Sequence, residues 1–544
     1  MESSSEKSAI DEILSHLRNI DKRVSKIEEN LDIYSELEEV EKQDVPDKED
    51  SEQREKRLEE RIGQVWFPRL GILGFAIGFV FFITLPLEGL PVFLPALIGY
   101  LIAAGLFSAA KFWDVTFSHL SGYLISAGFV LLFLASMRLY FFSPEKTIDS
   151  FPVIIALLMI VTIVTLLTSV RRKSINFASL GITLGSATAI IIDSPYLIFI
   201  ISVALAVTIV FLKLKFEWNG LLFYGMFITY FTHLAWFINN PFIGHSIETQ
   251  ANPQLNLLFI LLYAIIFSAA YLFSDKKEDE DLISAGGSMF NCGMGYGLFL
   301  LISFLKLPEL FFAYHIAAAV MFLAIAITYW VKWENKYSTF FYAIFGYIAL
   351  SVAIIAKFEQ SDYFIWMSWQ SLLVVSTAVW FRSKFIIVAN FIIYLMIFFA
   401  YLFVEQSSGG ISLSFGLVAL ISARILNWQK DRLELTTEQM RNAYLLSALF
   451  IIPYSFYQMF PAGFVSLTWI ALAIIYYMLS IMLNNKKYRW MALATYILTV
   501  IYVFILGFAG TDTTMTIISF VVLGATLIFV SISYARKKVK TKSE

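Results

Sequence analysis

Apolar runs of about 20 residues recur along this chain from residue 68 to residue 534. A helical run of that length matches the roughly 30 Å hydrocarbon core of a bilayer. Lipid supplies no partner for backbone hydrogen bonds, so a chain with many such runs is confined to helices. Composition agrees: 58% of residues are hydrophobic and 15% charged, against about 45–50% and about 25% in soluble domains. Mean hydropathy is +0.72. The expected fold is all-α: a polytopic integral membrane protein of about 18 transmembrane helices in tandem hairpins, behind an N-terminal cytoplasmic coiled-coil helix.

The spans are predicted at 68–85, 92–110, 118–137, 152–170, 175–192, 196–212, 219–238, 255–273, 283–304, 309–331, 338–356, 363–381, 385–403, 411–428, 442–458, 463–482, 490–509 and 514–534. Lysine and arginine test this series, because basic loops mark the cytoplasmic side. Loops after even-numbered spans hold nineteen basic residues, among them Arg171, Arg172, Lys173, Lys213, Lys215, Lys486 and Lys487. Loops after odd-numbered spans hold four: Arg138, Lys146, Lys306 and Lys357. Strict alternation puts both termini in the cytoplasm, and the basic tail "RKKVKTKSE" agrees. The first 60 residues are polar and lack a signal-peptide core, so the first span is expected to direct insertion. Trp113, Trp236, Trp330, Trp333, Trp380 and Trp428 fall near expected interfaces, where an amphipathic ring anchors a span.

Residues 10–34 carry apolar side chains at Ile10, Ile13, Leu17, Ile20, Val24, Ile27, Leu31 and Tyr34. The alternating three- and four-residue steps form a coiled-coil seam, and Leu at a with Ile at d favours three or four strands. Homo-oligomerisation through 10–34 is therefore expected; the alternative is an amphipathic helix lying on its own membrane domain. The chain divides into this head (1–38), an acidic tether and interfacial helix (39–66), the polytopic domain (67–535) and a basic tail (536–544).

A weak repeat accompanies the hairpins. Arg171 precedes Gly181 by ten residues, as do Lys215 and Gly225, Lys276 and Gly286, and Lys336 and Gly346; Lys111 and Gly122 are eleven apart. A copied two-span unit produces such a pattern, and glycine near the start of a span lets helices approach closely. The glycine-rich "GGSMFNCGMGYG" lies inside a span and reads as helix packing.

The segment "IGQVWFPRLGILGFAIGFVFF" carries Ile62, Gly63, Trp66, Leu70, Gly71, Gly78, Phe81 and Phe82. It resembles the opening span of a bacterial family of many-span membrane proteins, domain-of-unknown-function family 2339. That family similarly places a coiled coil before its first span. The resemblance implies a bacterial cytoplasmic-membrane protein and carries over no catalytic residues.

Little chemistry is on offer. No Asp or Glu lies near the centre of a predicted span, which argues against a carboxylate ion relay. No phosphate loop, zinc spacing or nucleophile elbow is present. Cys292 is the single cysteine, so no disulfide forms within the chain and no cysteine-based metal site is expected. No cofactor and no nucleic-acid partner are expected; membrane lipids are. Polar residues at depth remain: Asn291 and Gln370 near mid-span, His315 nearer an outer end, and His233 near the outer end of its span with Asn239, Asn240 and His245 beyond. They either tie helices together or line a water-accessible substrate cavity. Two function classes are open: a transporter or flippase-like carrier of an amphipathic envelope substrate, or an oligomeric scaffold. A membrane-embedded enzyme ranks third.

Overall fold

The computed structural model describes Gly78 and residues 91–526, apart from 115–117, 142–145, 251, 274–281, 359–361, 405–408, 429–435, 508–516 and 519. The expected coiled coil, the first span, the family-like segment and the basic tail lie outside the described residues, save Gly78 itself. The described residues from 91 onward belong to a compact unit that begins at Phe79.

Among the described residues the chain is all-helical. In order, the helices are α1 (Leu94–Trp113), α2 (Ser118–Arg138), α3 (Phe151–Arg172), α4 (Ile175–Ile192), α5 (Pro195–Phe216), α6 (Asn219–Phe237), α7 (Asn256–Leu272) and α8 (Leu282–Lys306). Then come α9 (Phe311–Trp333), α10 (Lys336–Lys357), α11 (Asp362–Trp380), α12 (Lys384–Val404), α13 (Gly409–Trp428), α14 (Thr436–Met459), α15 (Ala462–Met482) and α16 (Lys486–Gly507). Twelve of the described helices are long and apolar enough to cross a membrane. Helix α7 is equally apolar but has only 17 residues. The outward faces are greasy: Phe112, Phe385, Phe403 and Leu282 are all largely exposed. A soluble protein would not leave such surface to water.

Tight turns make the hairpins. Lys173, Glu217, Glu334, Arg382 and Asn484 each take the left-handed conformation just after a helix or its last turn. After three of these the next amide reaches back five residues: Ser174 to Ser169, Ser383 to Ala378, and Asn485 to Ser480. That bond closes the helix end in the Schellman manner and reverses the chain in two or three residues. At the opposite ends Pro95, Pro152 and Pro195 open α1, α3 and α5, where proline forfeits no helical bond.

Packing runs along the chain. Among the described helices, every closely packed pair joins elements that are consecutive or next-but-one. Helices α4, α6, α8 and α10 follow one another in one row, and α5, α7 and α9 in another. Beyond the α10–α11 junction, α12, α14 and α16 continue likewise. Contacts of this kind are those of a solenoid, in which each unit is stabilised by its neighbours.

Glycines set the spacing within hairpins. A β-carbon on Gly181 would come within 2.8 Å of Leu166 on α3, one on Gly225 within 2.6 Å of Ile209 on α5, and one on Gly346 within 2.8 Å of Leu323 on α9. Each therefore presses on the preceding helix, as the repeat predicts. The other two members of the predicted series are not tight. Gly122 faces open space and Gly286 meets only Phe223 at 3.7 Å; Gly128 and Gly287 make the close approaches, to Phe107 and Tyr271. The face of α2 and α8 that meets the earlier helix is thus rotated from the one the repeat implies.

The short helix α7 is capped from its neighbours. Its 17 residues span about 26 Å at 1.5 Å per residue, less than the bilayer core. Lys213 of α5 donates to the Ala270 carbonyl at 2.9 Å and is 2% exposed. Lys332 and Trp333 of α9 both donate to the Leu272 carbonyl. The cations sit at the negative end of the helix dipole and satisfy its last carbonyls. Lys213, counted in sequence as a loop cation, thus serves packing. Beyond the helices, Asp114 accepts from Arg172 at 2.9 Å and from Ser121 at 2.7 Å. Those bonds hold its carboxyl below the usual carboxylate range.

Gly225→Ala is expected to lower the thermal transition in detergent by an amount equivalent to about 1–3 kcal/mol, the usual cost of overpacking. Gly122→Ala should leave it unchanged or raise it. Differential scanning fluorimetry of the two variants checks the pair.

Candidate functional site

Asn291 lies midway along α8 and is buried. Its Oδ1 accepts from the Tyr230 hydroxyl of α6 at 2.7 Å. Its Nδ2 donates to the Ala264 carbonyl of α7 at 2.9 Å and to the Tyr342 hydroxyl of α10 at 2.9 Å. Both amide hydrogens and the carbonyl are in use, and one side chain joins four helices. Gly295, one turn on, leaves the room that Tyr230 fills, since a β-carbon there would meet its hydroxyl at 2.8 Å. The glycine-rich stretch therefore does serve packing.

His315, on α9, is fully buried. Nδ1 is 3.0 Å from the Tyr296 hydroxyl and Nε2 is 3.1 Å from Ser303 Oγ. One tautomer satisfies every group: Tyr296 donates to Nδ1, Nε2–H donates to Ser303, and Ser303 donates to the Leu300 carbonyl at 3.1 Å. In that arrangement the imidazole is a donor toward the serine, so it is not a base activating a nucleophile. Phe311 packs on the ring at 4.2 Å between centroids.

Gln370, on α11, is half-buried and belongs to the α10–α11 junction. Its Nε2 donates to the Tyr347 carbonyl at 2.8 Å and to Ser351 Oγ at 2.9 Å. Tyr347 in turn bonds Thr377 across the same junction.

His233 differs. It is fully buried on α6, stacked on Phe199 at 4.6 Å and met edge-on by Trp236 and Tyr263. Neither ring nitrogen has a hydrogen bond of standard length, and Asn256 Oδ1, which lies within electrostatic reach of the ring, has none either. The expected interface anchor Trp236 is therefore a core residue, 4% exposed. Asn240 caps α4, donating to the Ile190 carbonyl and to Asp193, each at 2.8 Å. Asn239 donates to the Ser246 carbonyl, and His245 lies 3.7 Å from Asp193. Asn240 and His245 hold the loop after α6 against the end of α4, and Asn239 ties that loop to itself.

Three of the four candidates share one spine. His233 touches Tyr263, Tyr263 touches Tyr230, and Tyr230 bonds Asn291. From Asn291 the path runs through Tyr342, Phe322 and Tyr296 to His315. Gln370 stands apart. Hydropathy hides the tyrosines, because their rings count as apolar and as interface anchors. A second knot is equally hidden. Asn390 of α12 donates to Ser371 of α11 at 2.8 Å and to Tyr444 of α14 at 3.0 Å. Asn291 uses α7 and α10, so these partners repeat four helices later. The signal available in sequence is an asparagine inside an apolar span at both positions.

Among the described residues no group of His, Cys, Asp and Glu is arranged to hold a metal. Cys292 is buried. An apolar groove of about 430 Å3 lies among α8, α9 and α10, and one of about 370 Å3 between α15 and the chain around Ala525. None of the four candidates lines either groove.

Cysteines replacing Asn291 or His315 in a Cys292→Ser background should resist a small polar thiol reagent in folded protein. Asn291→Leu should cost about 2 kcal/mol, from three interhelical bonds at about 0.6 kcal/mol each. Gln370→Leu should cost about 1 kcal/mol. Reversible unfolding in mixed detergent measures both. Comparison with protein-family models, with characterised proteins and with solved structures found no match to this chain.

Proposed function

We propose that this chain is an oligomeric scaffold of the bacterial cytoplasmic membrane. Eighteen spans run in tandem hairpins, both termini face the cytoplasm, and protomers gather through a trimeric or tetrameric coiled coil over residues 10–34. The observation that carries the scaffold reading is the closure of Asn291 and His315: their polar atoms are spent on neighbouring helices. A substrate cavity needs polar groups turned toward open space. Consecutive packing supports the same reading, since inverted-repeat transporters bring distant segments together around a midplane site. The segment from Ile62 to Phe82 supports membership of domain-of-unknown-function family 2339 and the bacterial setting.

A flippase-like carrier is the second reading. His233 favours it, as a buried imidazole without a standard hydrogen bond at one end of the spine. An enzymatic reading draws no support from Ser303 and His315, because the tautomer that satisfies Tyr296, Ser303 and the Leu300 carbonyl together makes the imidazole a donor to the serine.

Two measurements separate the readings. Full-length protein in mild detergent should be a trimer or tetramer by mass photometry, and Ile20→Asn should shift it toward monomer by placing an amide in the seam. Proteoliposomes carrying a fluorescent phospholipid should scramble it no faster than empty vesicles. Scrambling above that background would overturn the scaffold in favour of the carrier.

A further inference from the structure

The ties in the bundle leave one outward feature unused: the groove among α8, α9 and α10. Leu300 and Phe304 of α8, Pro308 and Phe311 at the next turn, and Val352 and Ile355 of α10 form its walls. Those side chains are all hydrocarbon. Pro308 cannot extend α8, so the chain turns through a short 3-10 segment, Pro308–Leu310, and leaves the groove open beside it. Phe304 is 71% exposed and Ile355 is 52% exposed, so the groove faces outward from helices of membrane-spanning length. Its volume of about 430 Å3 is that of a small ligand site. On a bilayer-facing surface the hydrocarbon that meets it is an acyl chain.

The rim supplies a second, independent element. Lys306 lies on α8 between Phe304 and Pro308, which both line the groove. Lys357 follows Ala356, another lining residue, and its Nζ stands 5.7 Å from the centre of the Phe312 ring on α9. Among the described residues neither lysine belongs to an ion pair. Glu309 is exposed three residues after Lys306, and the sequence places Glu359 and Asp362 after Lys357, so the two lysines are the rim's phosphate-binding groups within an otherwise acidic surround. The loops after odd-numbered spans hold four basic residues in all, and two stand here. Of the others, Arg138 is buried and Lys146 lies over the Tyr140 ring. Lysines that run against the sidedness bias and border a hydrocarbon groove fit a lipid whose headgroup is a phosphate monoanion.

We propose that this groove binds an anionic phospholipid, with one acyl chain between α8 and α10 and the phosphate between Lys306 and Lys357. The site rests on the membrane-spanning reading and is independent of whether the protein is a scaffold or a carrier. It fits either, as a lipid held against the α8–α10 wall.

The test uses full-length protein in phosphatidylcholine nanodiscs doped with phosphatidylglycerol, released and weighed by native mass spectrometry. Wild type should keep a phosphatidylglycerol adduct under activation that strips phosphatidylcholine. Lys306→Gln and Lys357→Gln should each weaken retention about fivefold. Val352→Phe fills the groove without touching charge and should weaken it as well. Glu309→Gln should strengthen it. Equal stripping of both lipids from wild type, or unchanged retention in both lysine variants, overturns the proposal. Each variant is compared at the wild-type thermal transition; if Val352→Phe fails that control, Ala356→Leu fills the same groove from the rim. Lys357→Cys, with Cys292 buried, reports sidedness separately. Labelling only from the cytoplasmic face would overturn the topology and leave the lipid result standing.

Discussion

A bilayer interior offers a helix nothing to hydrogen-bond with, so each polar group placed there has to be answered from within the protein. That requirement organises this structure. Asn291 is answered by Tyr230, Ala264 and Tyr342, and so fixes α6, α7, α8 and α10 in register. The carbonyls at the end of the short helix α7 are answered by Lys213, Lys332 and Trp333 from helices on either side of it in the row. Tyr329 of α9 reaches the Ser268 carbonyl of the same helix at 2.6 Å. Apolar packing alone drives little association in lipid, where tails are as oily as leucine; small residues and polar ties supply what it does not.

Because close packing among the described helices joins consecutive and next-but-one elements, each tie acts locally. Stability is then a sum over neighbours, as in repeat proteins, and a lesion in one hairpin need not reach the far end. The Asn–Tyr knots mark the repeat more clearly than hydropathy does. Asn291 with Tyr342 and Asn390 with Tyr444 occupy equivalent helices, four apart in order. Between them the α10–α11 junction carries a different device, the Gln370 amide against Ser351 and the Tyr347 carbonyl.

Most of the helix positions are legible in hydropathy. Helix α4 begins and ends where its apolar run does, at Ile175 and Ile192, and most others differ by a few residues. The larger differences fall at the end of α5 and the starts of α14 and α16, where the charged or polar stretches "KLKF", "TTEQMR" and "KKYR" extend the helices beyond the oily run. Asn291 and His315 stand out in sequence as polar residues at depth, because a lone amide or imidazole in an apolar run is conspicuous. Their partners do not. Tyr230, Tyr296 and Tyr342 disappear into hydropathy, and which face of a helix they occupy depends on its rotation against its neighbours. The same rotation moves the tight contacts from Gly286 to Gly287 and from Gly122 to Gly128. Trp236 misleads for a similar reason, since an indole suits an interface and an aromatic core equally well.

Hydrogen–deuterium exchange of the full-length protein in nanodiscs reads the sealed spine most directly. If Asn291, His315 and their tyrosines tie a closed core, peptides spanning residues 286–300 of α8 and 338–350 of α10 will exchange as slowly as the apolar centre of α5. Rapid exchange confined to those two segments would mean that water reaches Asn291, and would contradict a closed core.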